Sequence, residues 1–143
     1  MLAVSRHLNL LNCLVWDKEI PGLTERWRHS WEAILEASLG PPRCWHGGNG
    51  RRNVLRHPRP APTDESHPTP KPVSLLAELL RAASNPGSLV LDPFGGAGST
   101  LLAAERTGRS CRLVEIEPRY CDLALARWER LSGEQARKVD GDE

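Results

Sequence analysis

A glycine-rich turn followed by an acidic residue carries the clearest chemical signal in this sequence. Residues 90–100 are Val-Leu-Asp-Pro-Phe-Gly-Gly-Ala-Gly-Ser-Thr, and Glu115 stands 20 residues after Gly95, in the next apolar run. Glycines at the carboxyl end of a strand allow the backbone to fold tightly against a ligand, and an acid about 20 residues downstream can accept hydrogen bonds from ribose hydroxyls. The spacing predicts a binding site for a cofactor that contains a nucleoside.

The same residues discriminate between cofactors. A Walker loop needs a lysine before its Ser or Thr, but Gly98 precedes Ser99 directly, which disfavours ATP and GTP. A dinucleotide fingerprint needs a third glycine where the chain has Leu101, and Asp92 would place a carboxylate beside a pyrophosphate. S-adenosylmethionine has a ribose, a sulfonium and an ammonium but no phosphate, so the residues favour this methyl donor and leave NAD as the second candidate.

A proline-rich segment is predicted to supply a second set of cofactor contacts. Residues 67–72 are His-Pro-Thr-Pro-Lys-Pro, and alternating prolines hold a chain extended. Thr69 and Lys71 would then be presented rigidly, and a hydroxyl together with an ammonium suits the carboxylate of a ligand. The alternative interpretation of this segment is a simple proline linker.

Regular elements that could position these residues begin at Val73. Apolar periodicity and turn signals predict three helices and two strands. The helices cover Val73–Ala83, Ser99–Thr107 and Pro118 to about Leu131, and the strands cover Ser88–Leu91 and Cys111–Ile116. Proline suits the first turn of a helix, as at Pro118, and disfavours helix at the residue before it, so the first helix should stop before Pro86. The alternation predicts an α/β fold.

The region before Val73 has a weaker pattern. Leu10–Trp16 is predicted to be a strand, whereas Trp31–Ala37 fits a strand or a helix. Residues 41–72 contain eight of the twelve prolines and the run Gly-Gly-Asn-Gly, so we expect no regular element there.

Composition limits the partners that the chain can bind. Lys and Arg total 19 against 18 Asp and Glu, so the chain as a whole does not attract nucleic acid and any DNA contact must be local. The one strongly basic window is 41–60, which has five arginines and no acid. Arg43, Arg51 and Arg52 are therefore the candidate contacts with double-stranded DNA, and the alternative is a basic linker.

The remaining signals indicate a reducing compartment and no membrane. The four cysteines have no paired spacing, which fits the cytoplasm. The apolar stretch Met1–Trp16 is interrupted by polar residues, so we expect neither a signal peptide nor a membrane span. Cys44 and His46 lack a second ligand pair at zinc spacing, so we expect no metal site.

The three motifs, taken in this order, resemble those of the site-specific DNA amino-methyltransferases of the adenine-N6 and cytosine-N4 class, in the permuted, beta-type arrangement. The resemblance covers about His67–Gly133. The family's proline-lysine motif corresponds to residues 67–72, its Asp-Pro-Phe-x-Gly-Ser-Gly-Thr motif to residues 92–99 with Ala97 for Ser and Ser99 for Thr, and its ribose acid to Glu115. Residues 14–18 and 31–35 are similar to the late strands of the family's catalytic half.

This resemblance implies an incomplete Rossmann-like fold of the class I methyltransferases. It divides the chain into a catalytic remnant (1–40), a Pro/Gly/Arg-rich connector that could face DNA (41–66), a cofactor-binding half (67–133) and a charged tail (134–143). The implied contacts with S-adenosylmethionine are Thr69, Lys71, Asp92, Phe94, Gly95, Gly96, Gly98, Ser99 and Glu115.

The family's catalytic motif has no counterpart in the sequence. That motif is an Asp, Asn or Ser followed by Pro-Pro-Tyr or Pro-Pro-Phe, and the one Pro-Pro pair here, Pro41-Pro42, lies between Gly40 and Arg43, neither of which has a side-chain acceptor. We therefore expect a DNA methyltransferase that is truncated, for instance in a prophage, or that needs a separate polypeptide for catalysis. The alternatives are a non-catalytic remnant that binds cofactor or DNA, and a small NAD-binding protein.

Overall fold

The computed structural model of the chain describes residues 7–19, 26–41, 44–60 and 70–139. In these ranges the chain forms five strands and three helices. The strands are β1 (Asn9–Asp17), β2 (Trp31–Ser38), β3 (Val54–Arg56), β4 (Leu89–Asp92) and β5 (Ser110–Leu113). The helices are α1 (Val73–Ala83), α2 (Ser99–Thr107) and α3 (Pro118–Ser132).

The first three strands form one sheet in the order β2-β1-β3. Strands β1 and β2 are antiparallel and β1 and β3 are parallel. The strand predicted over Leu10–Trp16 is thus confirmed, and Trp31–Ala37 is a strand and not a helix. The expectation of no regular element in 41–72 is wrong at Val54–Arg56, where a buried Leu55 and the pairing of Val54 with Val15 stabilise a short strand.

Helix α1 covers this sheet and completes a small core. Trp16, Leu55 and Leu75 are buried together, with Leu14, Ile34 and Leu79 packed around them. Leu14 and Trp16 are alternate positions of β1, and Leu75 and Leu79 are four positions apart on α1, as expected for one apolar face of a sheet against one stripe of a helix. The indole Nε1 of Trp16 donates to the carbonyl of His57 over 2.7 Å, so the polar edge of this buried ring is satisfied.

The second sheet holds β4 and β5 in parallel, with α2 as the connection between them. Helix α2 packs against α1, α3 and β5. The Arg109 guanidinium donates to the backbone carbonyls of Ser84 and Thr107, which ties the end of α1 to the end of α2. Helix α1 thereby joins the two sheets.

The predicted elements of this half agree with the structure to within one residue except at the end of β5; β4 covers Leu89–Asp92 where Ser88–Leu91 was predicted. Helices α1 and α2 have the predicted bounds, and α3 begins at Pro118 as expected. The strand predicted to reach Ile116 ends at Leu113, because the chain then turns to bring Glu115 toward the glycine segment. No helix in the described part of the chain combines the length and apolar character needed to cross a bilayer.

The β4–β5 sheet buries only one of its faces. Leu89 is 64% exposed and Leu91 is 66% exposed, although they alternate with half-buried residues that face the helices. Val114, just past β5, is 57% exposed. Parallel sheets are usually covered on both faces, so this apolar surface, named here the open face, is unusual within the described ranges.

Candidate cofactor-binding site

The turn between β4 and α2 is held by hydrogen bonds among its own residues and by two left-handed glycines. The Asp92 carboxylate accepts a hydrogen bond from the Phe94 amide at 3.0 Å, and the Gly98 amide donates to the Gly95 carbonyl at 2.9 Å. Gly96 and Gly98 have φ angles of +50° and +76°, a region that L side chains rarely adopt. The first helical residue, Ser99, is buried, and the turn delivers the amino-terminal end of α2 to the site.

Two of the glycines are required because neighbouring elements touch them. A Cβ atom at Gly95 would lie 2.4 Å from Cγ of Leu113 on β5, and one at Gly98 would lie 2.7 Å from Cβ of Ala124 on α3. Carbon atoms in ordinary contact are about 3.5–4.0 Å apart. The glycines therefore allow β5 and α3 to pack directly on the turn.

The predicted ribose acid meets the glycine turn. Oε2 of Glu115 accepts a hydrogen bond from the Gly96 amide at 2.6 Å, and Oε1 accepts one from the Glu117 amide at 3.0 Å. Each carboxylate oxygen can accept more than one hydrogen bond. The structure thus brings together Glu115 and the turn residues that the sequence assigned to one site.

Two exposed apolar side chains flank this carboxylate. Phe94 is 88% exposed within the turn, and Ile116, which directly follows Glu115, is 95% exposed. Large apolar groups at this level of exposure are available to contact a planar ring. Ile116 was not among the residues predicted for the site, and the signal that could have identified it is an apolar residue next to the acid where the strand is expected to end.

Arg127 is a second residue that the sequence interpretation missed. Its Nη1 atom on α3 donates to the carbonyl of Ala97, inside the glycine turn. The contact joins residues 30 positions apart, so no local motif indicated it. It fixes α3 to the turn beside the contact between Gly98 and Ala124.

Lys71 lies on the N-terminal sheet. Its Nζ is 2.5 Å from Glu32 Oε2 and 5.3 Å from the centre of the Trp16 ring, and Lys18 makes the equivalent contacts at 2.7 Å and 5.4 Å. Burial raises the pKa of Glu32, but the hydrogen bonds and charges of the two lysines outweigh it and hold that pKa below its ordinary value. Thr69, the other residue predicted from the proline segment, lies outside the described residues.

The arginines predicted to contact DNA lie near a different cleft. Arg51 and Arg52 line a cavity of about 260 Å³ between the N-terminal sheet and α1, together with Trp45. Arg51 is 2.7 Å from Glu78. Burial raises the pKa of Glu78, but hydrogen bonds from Arg51 and His57, together with their charges, outweigh burial and hold that pKa below its ordinary value. Arg52 is exposed, and Arg43 lies outside the described residues.

The cysteines and histidines do not assemble into a larger group in the described ranges. Cys44 Sγ lies 2.9 Å from His46 Nε2, which is 2.7 Å from Oδ1 of Asn85. No set of three or more His, Cys, Asp and Glu side chains with metal-binding geometry occurs in those ranges, and the four cysteines are unpaired thiols.

Comparison with known proteins identifies the family of this arrangement. The family model for DNA methylases of the N6 and N4 type matches residues 16–126, which is most of the chain. The chain therefore belongs to the N6/N4 DNA methylase family. Its partial α/β architecture is that of the class I methyltransferases.

Individual relatives agree with this assignment. The chain is 34% identical over 123 residues to the DNA adenine methyltransferase YhdJ of Escherichia coli K12, an alignment that covers 82% of this chain and 42% of that protein. It superposes on TTHA0409 of Thermus thermophilus, solved with S-adenosyl-L-methionine, with a TM-score of 0.69 and 29% identity over 97% of this chain and 61% of the other. The M1.HpyAVI–SAM complex gives a TM-score of 0.71 and 26% identity, over 86% and 64% of the two chains. The chain thus spans less than two thirds of each.

Proposed function

We propose that this chain is the S-adenosylmethionine-binding part of a DNA methyltransferase that modifies an exocyclic amino group of adenine or cytosine. The observation that carries the proposal is the contact between the Glu115 carboxylate and the Gly96 amide, which joins the acid and the glycine turn in one site. The solved relatives that contain the same cofactor support it. A cytoplasmic location accords with unpaired cysteines and with DNA as substrate.

Each part of the cofactor has a counterpart in the proposed site. Glu115 accepts hydrogen bonds from the ribose hydroxyls, while Phe94 and Ile116 contact the adenine ring. Asp92 attracts the positive end of the cofactor, because a carboxylate favours a sulfonium or an ammonium nearby. Bound S-adenosylmethionine would supply an electrophilic methyl group, and these residues bind and orient it.

Lys71 and Thr69 are proposed to receive the carboxylate of the cofactor's amino-acid end. Lys71 now pairs with Glu32, but Lys18 pairs with the same carboxylate. If Lys71 turned to a ligand, Glu32 would keep one ammonium partner, so the exchange leaves no unpaired acid. Strong pairing of Lys18 with Glu32 therefore supports a ligand role for Lys71.

Calorimetric titration of the chain with S-adenosylmethionine tests the cofactor assignment. We expect binding that NAD does not displace, weakened about tenfold in Glu115→Gln because one charge-assisted acceptor is lost. Glu134→Gln, which changes an exposed acid beyond α3, is the matched control and should bind as the parent does. Binding of NAD in place of S-adenosylmethionine would overturn the proposal.

Methyl transfer is proposed to need a polypeptide that supplies the missing acceptor motif. Transfer to a flipped base requires acceptors and an aromatic ring held against the target nitrogen. The chain spans 42% of YhdJ, and the open face of the β4–β5 sheet offers apolar surface of the kind that a second polypeptide would cover.

A tritiated-methyl assay on mixed-sequence DNA tests this requirement. We expect no incorporation with this chain alone and incorporation after addition of a polypeptide that carries a Pro-Pro-Tyr motif. Addition of the same polypeptide with its tyrosine changed to alanine is the control. Transfer by the chain alone would refute the need for a partner, whereas the calorimetric result would still stand.

A further inference from the structure

A small, open cavity between α2 and α3 is lined by three arginines and two leucines. Its volume is about 250 Å³, and its lining residues are Leu102, Arg106, Arg127, Arg130 and Leu131. Its polar lining residues are all arginines, and its apolar ones are both leucines. The cavity lies outside the basic window at 41–60, and it adjoins the glycine turn through the bond from Arg127 to the Ala97 carbonyl.

In the described part of the chain, no carboxylate forms an ion pair with Arg106, Arg127 or Arg130. The nearby acids have other partners: Glu105 accepts from the Trp128 indole at 2.9 Å, and Glu129 accepts from the Ala136 amide at 2.8 Å. The chain carries a net charge of only +1, so this concentration of arginine is local.

The surroundings of Arg127 disfavour its positive charge, which an anion bound nearby would stabilise. Burial lowers its pKa, and the positive charge of Arg130 lowers it further. Both causes penalise the cation, and an anion between the two guanidinium groups would relieve both. One Nη of Arg127 is committed to the Ala97 carbonyl, which leaves the other donors of the planar group for a ligand.

We propose that this cavity binds a phosphate group. Planar guanidinium groups donate in pairs to the oxygens of phosphate, and three of them match a multiply charged oxyanion better than a single carboxylate. The volume lies below the range of about 300–1,000 Å³ typical of sites for drug-sized molecules, which favours a small anion or one protruding backbone phosphate. The proposed phosphate contacts come from α2 and α3, although Arg127 also holds the glycine turn through the Ala97 carbonyl.

An alternative role exists for two of the three arginines. Arg106 and Arg130 stand in the last turns of α2 and α3, where a cation interacts favourably with the helix dipole. That role requires no ligand. Arg81 stands in the last turn of α1 and does not line the cavity, so it provides a matched control.

Titration with pyrophosphate, inorganic phosphate and a short duplex DNA, each at constant ionic strength, tests the proposal. A specific ligand raises the melting temperature with its concentration. We expect a saturable shift with at least one phosphate probe, weakened tenfold or more in Arg106→Gln/Arg130→Gln and unchanged in Arg81→Gln. A shift with pyrophosphate identifies a small anion as the ligand, and a shift with the duplex alone identifies the nucleic-acid backbone.

Two results would overturn the proposal. One is the absence of a saturable shift with all three probes in the parent chain. The other is an equal loss in Arg81→Gln, which would assign the effect to general charge or helix ends. If the double variant fails to fold, Arg130→Lys replaces it: a site that uses paired guanidinium donors should lose affinity although its charge is kept, and unchanged affinity would refute it.

Discussion

The two halves of the described structure hold their polar groups in different ways. In the C-terminal half, Glu115 is fixed by two backbone amides, that of Gly96 in the glycine turn, 19 residues away in sequence, and that of Glu117. Around the N-terminal sheet, charged side chains from distant positions pair with one another, as Lys71 does with Glu32 and as Arg51 does with Glu78 on α1. The first arrangement depends on backbone shape, whereas the second depends on charge and should respond to pH and salt.

The largest loss of stability is expected from a change in the apolar core between the N-terminal sheet and α1. Trp16→Ala should lower the free energy of unfolding by about 3–5 kcal/mol, because it removes the centre of the core formed with Leu55 and Leu75. Trp27→Ala is the control, since that ring is 92% exposed and its removal should change stability by less than about 0.5 kcal/mol. Urea denaturation measures both, and similar losses would contradict the assigned core.

A somewhat smaller loss of stability is expected in the glycine turn. Two glycines with nearly equal φ angles separate the cost of a steric clash from the cost of a left-handed backbone. Gly98→Ala places a Cβ 2.7 Å from Ala124 at a φ of +76°, so it should cost about 2–3 kcal/mol. Gly133→Ala has a nearly equal φ of +75° but no atom within 4 Å, so it should cost only about 1–2 kcal/mol. Thermal melts compare the two, and equal losses would mean that α3 does not press on the turn.

The ion pairs of the N-terminal half predict a weaker, pH-dependent effect. The pKa values of Glu32 and Glu78 lie below their ordinary value of 4.5, so both acids stabilise the folded state when ionised. This stability is present above about pH 4.5 and is lost as pH falls through the lower folded values. Each partly exposed pair contributes about 1 kcal/mol or less.

Urea denaturation between pH 6 and pH 3 checks this dependence. Glu78→Gln should flatten the pH profile, while Glu134→Gln should leave it as it is in the parent chain. A profile that Glu78→Gln does not alter would show that these pairs add no pH-dependent stability.

The smallest effect concerns DNA contact at the N-terminal cleft. If Arg52 contacts a phosphate, Arg52→Ala should reduce the slope of log affinity against log salt by about 1. Arg51→Ala should change the slope less, because Arg51 already pairs with Glu78. Arg81→Ala serves as the control in a filter-binding titration, and an unchanged slope in Arg52→Ala would assign that residue elsewhere.

Sequence patterns predicted the C-terminal half well because its determinants are local. Proline and glycine fix the ends of α1, α2 and α3, and apolar periodicity fixes their faces. The spacing between Gly95 and Glu115 predicted that they share a site, since both follow neighbouring parallel strands.

Long-range pairing explains what the patterns missed. Strand β3 is three residues long in a proline-rich segment, and only its pairing with β1, about 40 positions earlier, makes it a strand. The partners of Lys71 and Arg51 are 39 and 27 positions away, and that of Arg127 is 30 positions away. None of these distances corresponds to a local periodicity. Contacts with Thr69 and Arg43 stay predictions.

The open face is expected to affect how long this polypeptide persists in a cell before it is degraded or aggregates. Leu89, Leu91 and Val114 form an apolar surface beside strand edges that are unpaired within the described ranges, the features that quality-control chaperones and proteases recognise in incompletely assembled subunits. Synthesised without whatever covers that surface, the chain is expected to be degraded or to aggregate. If a second polypeptide covers the open face, as proposed above, the abundance of the chain would follow the supply of that polypeptide.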